Sequence, residues 1–169
     1  LVSIGYGAVP LLRERFVQSA PAGKRRILHV MSRIGGERVV SFVRSALHTE
    51  SPEVAKECFP IIRIFGAGAD IDTVGAYSQP PHPPLTRSIA VITLVQMRSR
   101  RCIPFLIEAL GDPVEAIRNE AAEALRGIHP LFSDLDIDNL SKDGIMKLKL
   151  KFSETDTAEI DWPVYLGGR

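Results

Sequence analysis

The stretch RCIPFLIEALGDPVEAIRNEAAEALRGI, residues 101–128, decides the fold. It reads as two short amphipathic helices joined by Gly111, Asp112 and Pro113. In the first, Ile103, Leu106, Ile107 and Leu110 recur at i, i+3, i+4 and i+7, one face of a 3.6-residue helix. Pro104 falls in its first turn, where a missing N–H removes no hydrogen bond. Gly111 ends this helix, Asp112 can cap the next, and Pro113 is predicted as that helix's first residue. The second helix sets Val114, Ile117, Ala121, Ala124, Leu125 and Ile128 on one stripe, with Ala121 and Ala122 allowing close helix approach. A lone hairpin of this kind leaves its apolar face in water, so copies are expected elsewhere in the chain.

The copies lie upstream. Prolines that open second helices fall at Pro21, Pro52, Pro83 and Pro113, spaced 31, 31 and 30. A basic residue follows at Arg25, Lys56, Arg87 and Arg118, each step 31. Second helices close on Ile34, Phe65, Met97 and Ile128, and first helices carry Val9, Val40, Ile71 and Ile103. Four ladders in one register specify an all-α chain of about four stacked helical hairpins.

The pattern from Cys102 to Ile128, with Ile103-Pro104, Ala109-Leu110, Asp112-Pro113, Arg118 and Ala121-Ala122, resembles a HEAT repeat. More narrowly it is similar to the short bacterial HEAT-like variant first described in phycobilin lyases. The resemblance covers roughly residues 8–129. It is close in the last hairpin, fair in residues 37–66, and degenerate in the first and third. It implies a right-handed α-solenoid with a concave binding face and no single activity.

Length and composition set bounds. The chain of 169 residues divides into a repeat domain, residues 1–130, and a C-terminal cap or arm, residues 131–169. With 21 basic against 20 acidic residues the net charge is +1, so no electrostatic ground for nucleic-acid binding exists. The apolar run at residues 88–97 is half of the ~20 residues a bilayer span needs, so membrane insertion is not expected. Residue 1 is leucine and no signal-peptide pattern follows, which suggests a piece of a larger polypeptide. Cys58 and Cys102 sit at apolar helix positions and read as buried reduced thiols in a cytoplasmic protein.

Along the chain, helices are predicted at 8–18 with Val9, Leu12 and Phe16 inward, and at 22–34 with Ile27, Val30, Met31 and Ile34 inward. Gly35 and Gly36 stop the latter. A helix at 37–48 presents Val39, Val40, Val43 and Leu47. The next, 53–65, contains Pro60, which forces a bend near Glu57. A short helix at 69–78 is followed by Gln79-Pro-Pro-His-Pro-Pro84, read as an extended, polyproline-like connection rather than a ligand for an aromatic groove. The helix at 85–97 is apolar on nearly all sides.

After Pro130 the texture changes. Asp134, Asp136 and Asp138 fail as a calcium loop, because Asn139 and Ile145 stand where glycine and glutamate belong. Residues 145–152 alternate apolar and lysine with period 2, predicting a β-strand, and residues 158–166 could pair with it as a β-hairpin.

No constellation carries catalysis. His29, His48, His82 and His129 do not pair at ligand spacing, and none precedes a glutamate, unlike the His-Glu pairs of the HEAT-like deoxyhypusine hydroxylases. No phosphate loop or nucleophile elbow is present. The chain is therefore expected to be a non-enzymatic interaction scaffold or regulatory module, with no metal and no cofactor. The polar sides of the second helices carry Arg26, Arg33, Arg63, Asn119, Glu123 and Arg126. If these line the concave wall, the arginines favour a protein partner or acidic peptide segment. The basic ladder at Arg25, Lys56, Arg87 and Arg118 reads as structural. A bilin-lyase-like chromophore chaperone is the alternative, although the single Trp162 lies in the tail. A DNA-binding or glycosylase role is disfavoured by the near-neutral charge.

Overall fold

The computed structural model describes residues 2–154 and residue 160, with the side chains of residues 2–4 and 6 left out. The helices are α1 (Val2–Val17), α2 (Pro21–Ile34), α3 (Glu37–Thr49), α4 (Pro52–Ala55), α5 (Cys58–Phe65), α6 (Asp70–Tyr77), α7 (Pro84–Met97), α8 (Ile103–Ala109), α9 (Glu115–Ile128) and α10 (Lys142–Glu154). No strand occurs among the described residues. The chain packs as two compact units, residues 1–70 and residues 71–169.

In the first unit α1 packs on α2 and α3, and α3 on α5. Val9 and Phe16 of α1 are buried, and so are all four predicted inward residues of α3. Phe42 and Ala46 join them, because α3 is covered on two sides. Helix α2 departs from expectation at two of its four predicted inward positions, Val30 and the half-buried Ile34. Val30 is 45% exposed while Leu28 is fully buried, so the buried stripe is Ile27, Leu28 and Met31. Gly35 and Gly36 have φ of 67° and 80°, a region that costs other residues strain. A Cβ at Gly35 would also come within 2.5 Å of the Phe65 ring.

The Pro60 effect is visible as a break. Pro60 has no N–H to offer the Lys56 carbonyl, and the helix stops after Ala55 and restarts at Cys58. Arg44 of α3 then closes the unit, donating from Nε and Nη2 to the Asp70 carboxylate at 2.5 and 3.0 Å.

In the second unit α7 packs on α8 and α9, and α8 on α9. Ile103, Leu106, Ile107 and Leu110 are all buried, as their spacing demanded. Helix α9 begins at Glu115 rather than Pro113. The Asp112 carboxylate accepts from the Val114 N–H at 2.8 Å, which holds residues 112–114 in a turn before the helix can start. The connection at 79–83 is likewise a turn and not an extended run: the His82 N–H reaches the Gln79 carbonyl at 3.3 Å, and the Pro80-Pro81 peptide is cis.

The predicted strand at 145–152 is a helix, α10. Its alternation of Lys with Met, Leu and Ile has a second, helical reading. Ile145, Leu148, Lys149 and Phe152 lie at i, i+3, i+4 and i+7 and form the less exposed side, while Met146 and Leu150 are 64% and 58% exposed. Lys, Leu and Met are good helix formers. The Ser141 hydroxyl accepts from the Gly144 N–H at 3.1 Å, a helix-starting contact that the period-2 count does not register. Helix α10 packs on α8, and Phe152 meets His129, Phe132 and the Arg100 guanidinium. The proposed second strand, 158–166, lies outside the described residues apart from Ile160.

Candidate binding surface

Second helices present their polar sides to solvent because their apolar sides are taken by the hairpin core. On α2 this leaves Arg26, His29, Val30 and Arg33 at i, i+3, i+4 and i+7, all exposed. Arg26, His29 and Val30 share a groove of about 440 Å³ with Ala22, Arg25 and Glu57. Arg63 is exposed on α5 of the same unit, next to Ile64, which is 55% exposed. No ion pair engages Arg26, Arg33 or Arg63 among the described residues. Neighbouring Lys24 differs, since its ammonium binds both Glu50 carboxylate oxygens at 2.7 and 2.8 Å.

In the second unit Asn119 and Glu123 are exposed on α9. They line a groove of about 610 Å³ with Pro84, Leu85, Ser88, Ile117 and Glu120. The Ser88 hydroxyl donates to the Glu120 carboxylate at 2.9 Å. Burial nevertheless holds the Glu120 carboxyl above the usual carboxylate range. This groove is acidic at its rim. Arg126, also expected on the binding face, donates to the Leu135 carbonyl at 2.6 Å and so ties α9 to the following loop. The six predicted residues therefore divide into three exposed arginines in one unit and, in the other, Asn119 and Glu123 on the groove with Arg126 tied to the following loop. The spacing turns Val30 inward and does not single out His29 or Glu120 for the surface, because their direction depends on which turns of each helix are covered.

The basic ladder is structural in the second unit. Arg87 is buried and donates from Nε and Nη2 to Asp112 at 2.7 and 2.9 Å, and from Nη1 to the His82 carbonyl. Arg118 donates to the Asp112 carbonyl at 2.8 Å. Lys24–Glu50 repeats the theme in the first unit: a second-helix cation grips an acid in the turn before the next second helix. The corresponding ladder residues Arg25 and Lys56 are more open to solvent.

Both thiols are buried, and burial pushes Cys58 up to about 12 and Cys102 up to about 11. No group of three or more His, Cys, Asp or Glu side chains suited to a metal occurs among the described residues. No described helix is long and apolar enough to cross a membrane. Asp136, one of the tail acids, accepts from the Asn139 side-chain amide at 2.7 Å.

Residues 86–112 match the PBS lyase HEAT-like repeat family. The matched stretch runs from the first turn of α7 to the turn before α9, so it takes in the Arg87–Asp112 pair at its two ends. The chain thus carries a HEAT-like repeat. No curated protein matches the chain.

Proposed function

We propose that this chain, with its HEAT-like repeat, is a non-catalytic interaction module that holds an acidic segment of a partner protein against α2. The observation that carries this reading is the exposed stripe of Arg26, His29, Val30 and Arg33, two guanidiniums flanking an apolar side chain. Guanidiniums recognise carboxylates through paired, planar hydrogen bonds, and Val30 offers apolar contact between them. Arg63 is a further exposed guanidinium of the same unit. The right-handed solenoid with second helices on its concave wall belongs to this proposal as an implication of the family resemblance. A scaffold or regulatory role in a cytoplasmic assembly is its biological form, with no cofactor and no catalytic step.

The test is fluorescence anisotropy with a labelled glutamate-rich peptide containing one leucine, read across a salt series. Binding is expected to weaken with salt, and Arg26→Glu with Arg33→Glu is expected to reduce affinity at least tenfold, as is reversal of Arg33 with Arg63. Unchanged affinity in both double variants, with helicity retained, removes the reading. The alternative, a bilin-lyase-like chromophore chaperone, draws on the family description. It requires a thiol or aromatic wall open to a tetrapyrrole, whereas Cys58 and Cys102 are buried.

A further inference from the structure

Successive first helices meet through one recurring register position. In the first unit, Phe42 of α3 lies beneath α1. The Phe16 ring stands 5.0 Å from it edge-on and the Arg13 guanidinium 5.3 Å from its centroid, leaving Phe42 8% exposed. In the second unit, Phe105 of α8 lies against α6 at Gly75, where a Cβ would fall 2.5 Å from the ring. Arg13 and Gly75 are 62 residues apart, and Phe42 and Phe105 are 63 apart. The two contacts are the same contact, two periods on. A short or cationic residue of one first helix covers an aromatic residue of the next.

One period before Phe42 stands Leu11. It occupies the covered position of α1, yet it is 68% exposed. Around it Ala8, Leu12, Glu14, Arg15 and Gln18 line an open groove of about 530 Å³. The far side of α8 in the second unit shows what a finished face looks like. There α10 lies across it, with Ile145 against Gly111 and the Lys149 ammonium on the Glu108 carboxylate. Repeat arrays need such polar covers on outer faces, and α1 has none among the described residues.

We propose that the outer face of α1 is a docking surface for a further helical hairpin in the same 31-residue register, which sets a short or cationic side chain over Leu11. The occupant is a hairpin of the chain's own kind, because the face continues the interfaces that α1 makes with α3 and α6 makes with α8. A second copy stacked head to tail would have to offer α8, which α10 already covers. This inference is independent of the arginine stripe on α2.

The experiment compares the chain with an extended chain in which a copy of residues 5–35 precedes residue 5. The new joint, Gly35 followed by Gly5, then reproduces the natural Gly35-Gly36 step. Leu11→Asp is introduced in the original α1 of both. In the unextended chain the thermal midpoint is expected to move by less than about 2 °C, as for an exposed surface site. In the extended chain the added hairpin is expected to melt together with the rest, and the same substitution to lower the midpoint by about 5 °C or more. Equal shifts in the two chains overturn the proposal, as does an extension that melts separately. Sedimentation of the unextended chain supplies the remaining outcome: a dimer that Leu11→Asp dissolves assigns the face to a second copy and overturns it as well.

Discussion

Asp112→Ala is the substitution that most directly tests the account of what holds the second unit together. The side chains of Arg87 and Asp112 are 6% and 1% exposed and share two hydrogen bonds of 2.7 and 2.9 Å. Removing the carboxylate leaves a buried guanidinium without its counter-charge, a loss of about 3–5 kcal/mol. The Val114 N–H also loses its acceptor at the start of α9, worth about 1 kcal/mol more. For a unit of this size, a loss of that order lowers the melting midpoint by well over 10 °C, at about 4–8 °C per kcal/mol. The control is Asp72→Ala, which breaks the Arg101–Asp72 pair at 2.8 Å, where the side chains are 56% and 63% exposed. Exposed pairs contribute about 0–1 kcal/mol. Thermal unfolding followed by far-UV circular dichroism reads both. A double variant, Arg87→Met with Asp112→Leu, is expected to recover more than half of the loss, because an apolar pair leaves no orphaned charge. The His82 carbonyl and the Val114 N–H stay unserved, so recovery is incomplete. Equal effects of Asp112→Ala and Asp72→Ala, or a double variant as poor as the sum of its singles, would refute the reasoning.

Two further outcomes follow from the titrating groups. The Arg44 guanidinium holds the Asp70 carboxyl below the usual carboxylate range, so its folded pKa lies under its unfolded value. The stability it contributes is therefore complete above the unfolded value near 4 and is lost as pH falls through the folded one. Asp70→Asn should lower the urea midpoint at neutral pH and flatten the acid limb of its pH dependence, and an unaltered acid limb would count against the pairing. Cys58 and Cys102, pushed up to about 12 and about 11, should not react with a disulfide-exchange reagent in the folded protein at neutral pH. Both should react once urea unfolds the chain, and fast labelling of either in the native state would contradict its burial.

Much of the helical framework was readable from spacing, because the burial stripe of an amphipathic helix is a local, periodic property. Ile103, Leu106, Ile107 and Leu110 had to share a face, and they are buried together. The place of the disturbance at Lys56 and Glu57 was equally legible, as a bend rather than as two separate helices, since a proline without an N–H acts on its own helix whatever surrounds it. Residues 145–152 show where this ends. Period 2 and period 3.6 both fit a short run of lysines and aliphatics, and the contacts of Ile145 with Gly111 and of Phe152 with Arg100 and Phe132 accompany the helical choice.

The sequence by itself determined that the chain is built of helices and carries a HEAT-like repeat, which the family match places at residues 86–112. Hydrophobic periodicity is written residue by residue, and a repeat writes it several times over. Only the tertiary structure decided which polar residues are spent on the fold and which face solvent. Arg87 and Arg25 hold the same ladder position on paper, yet one is buried on Asp112 while the other stands open on α2. The difference lies in long-range neighbours, since an arginine's role is set by the acid or carbonyl that packing brings within reach. Leu11 makes the same point for apolar residues. Its position matches that of buried Phe42, and it is exposed because no layer covers it among the described residues.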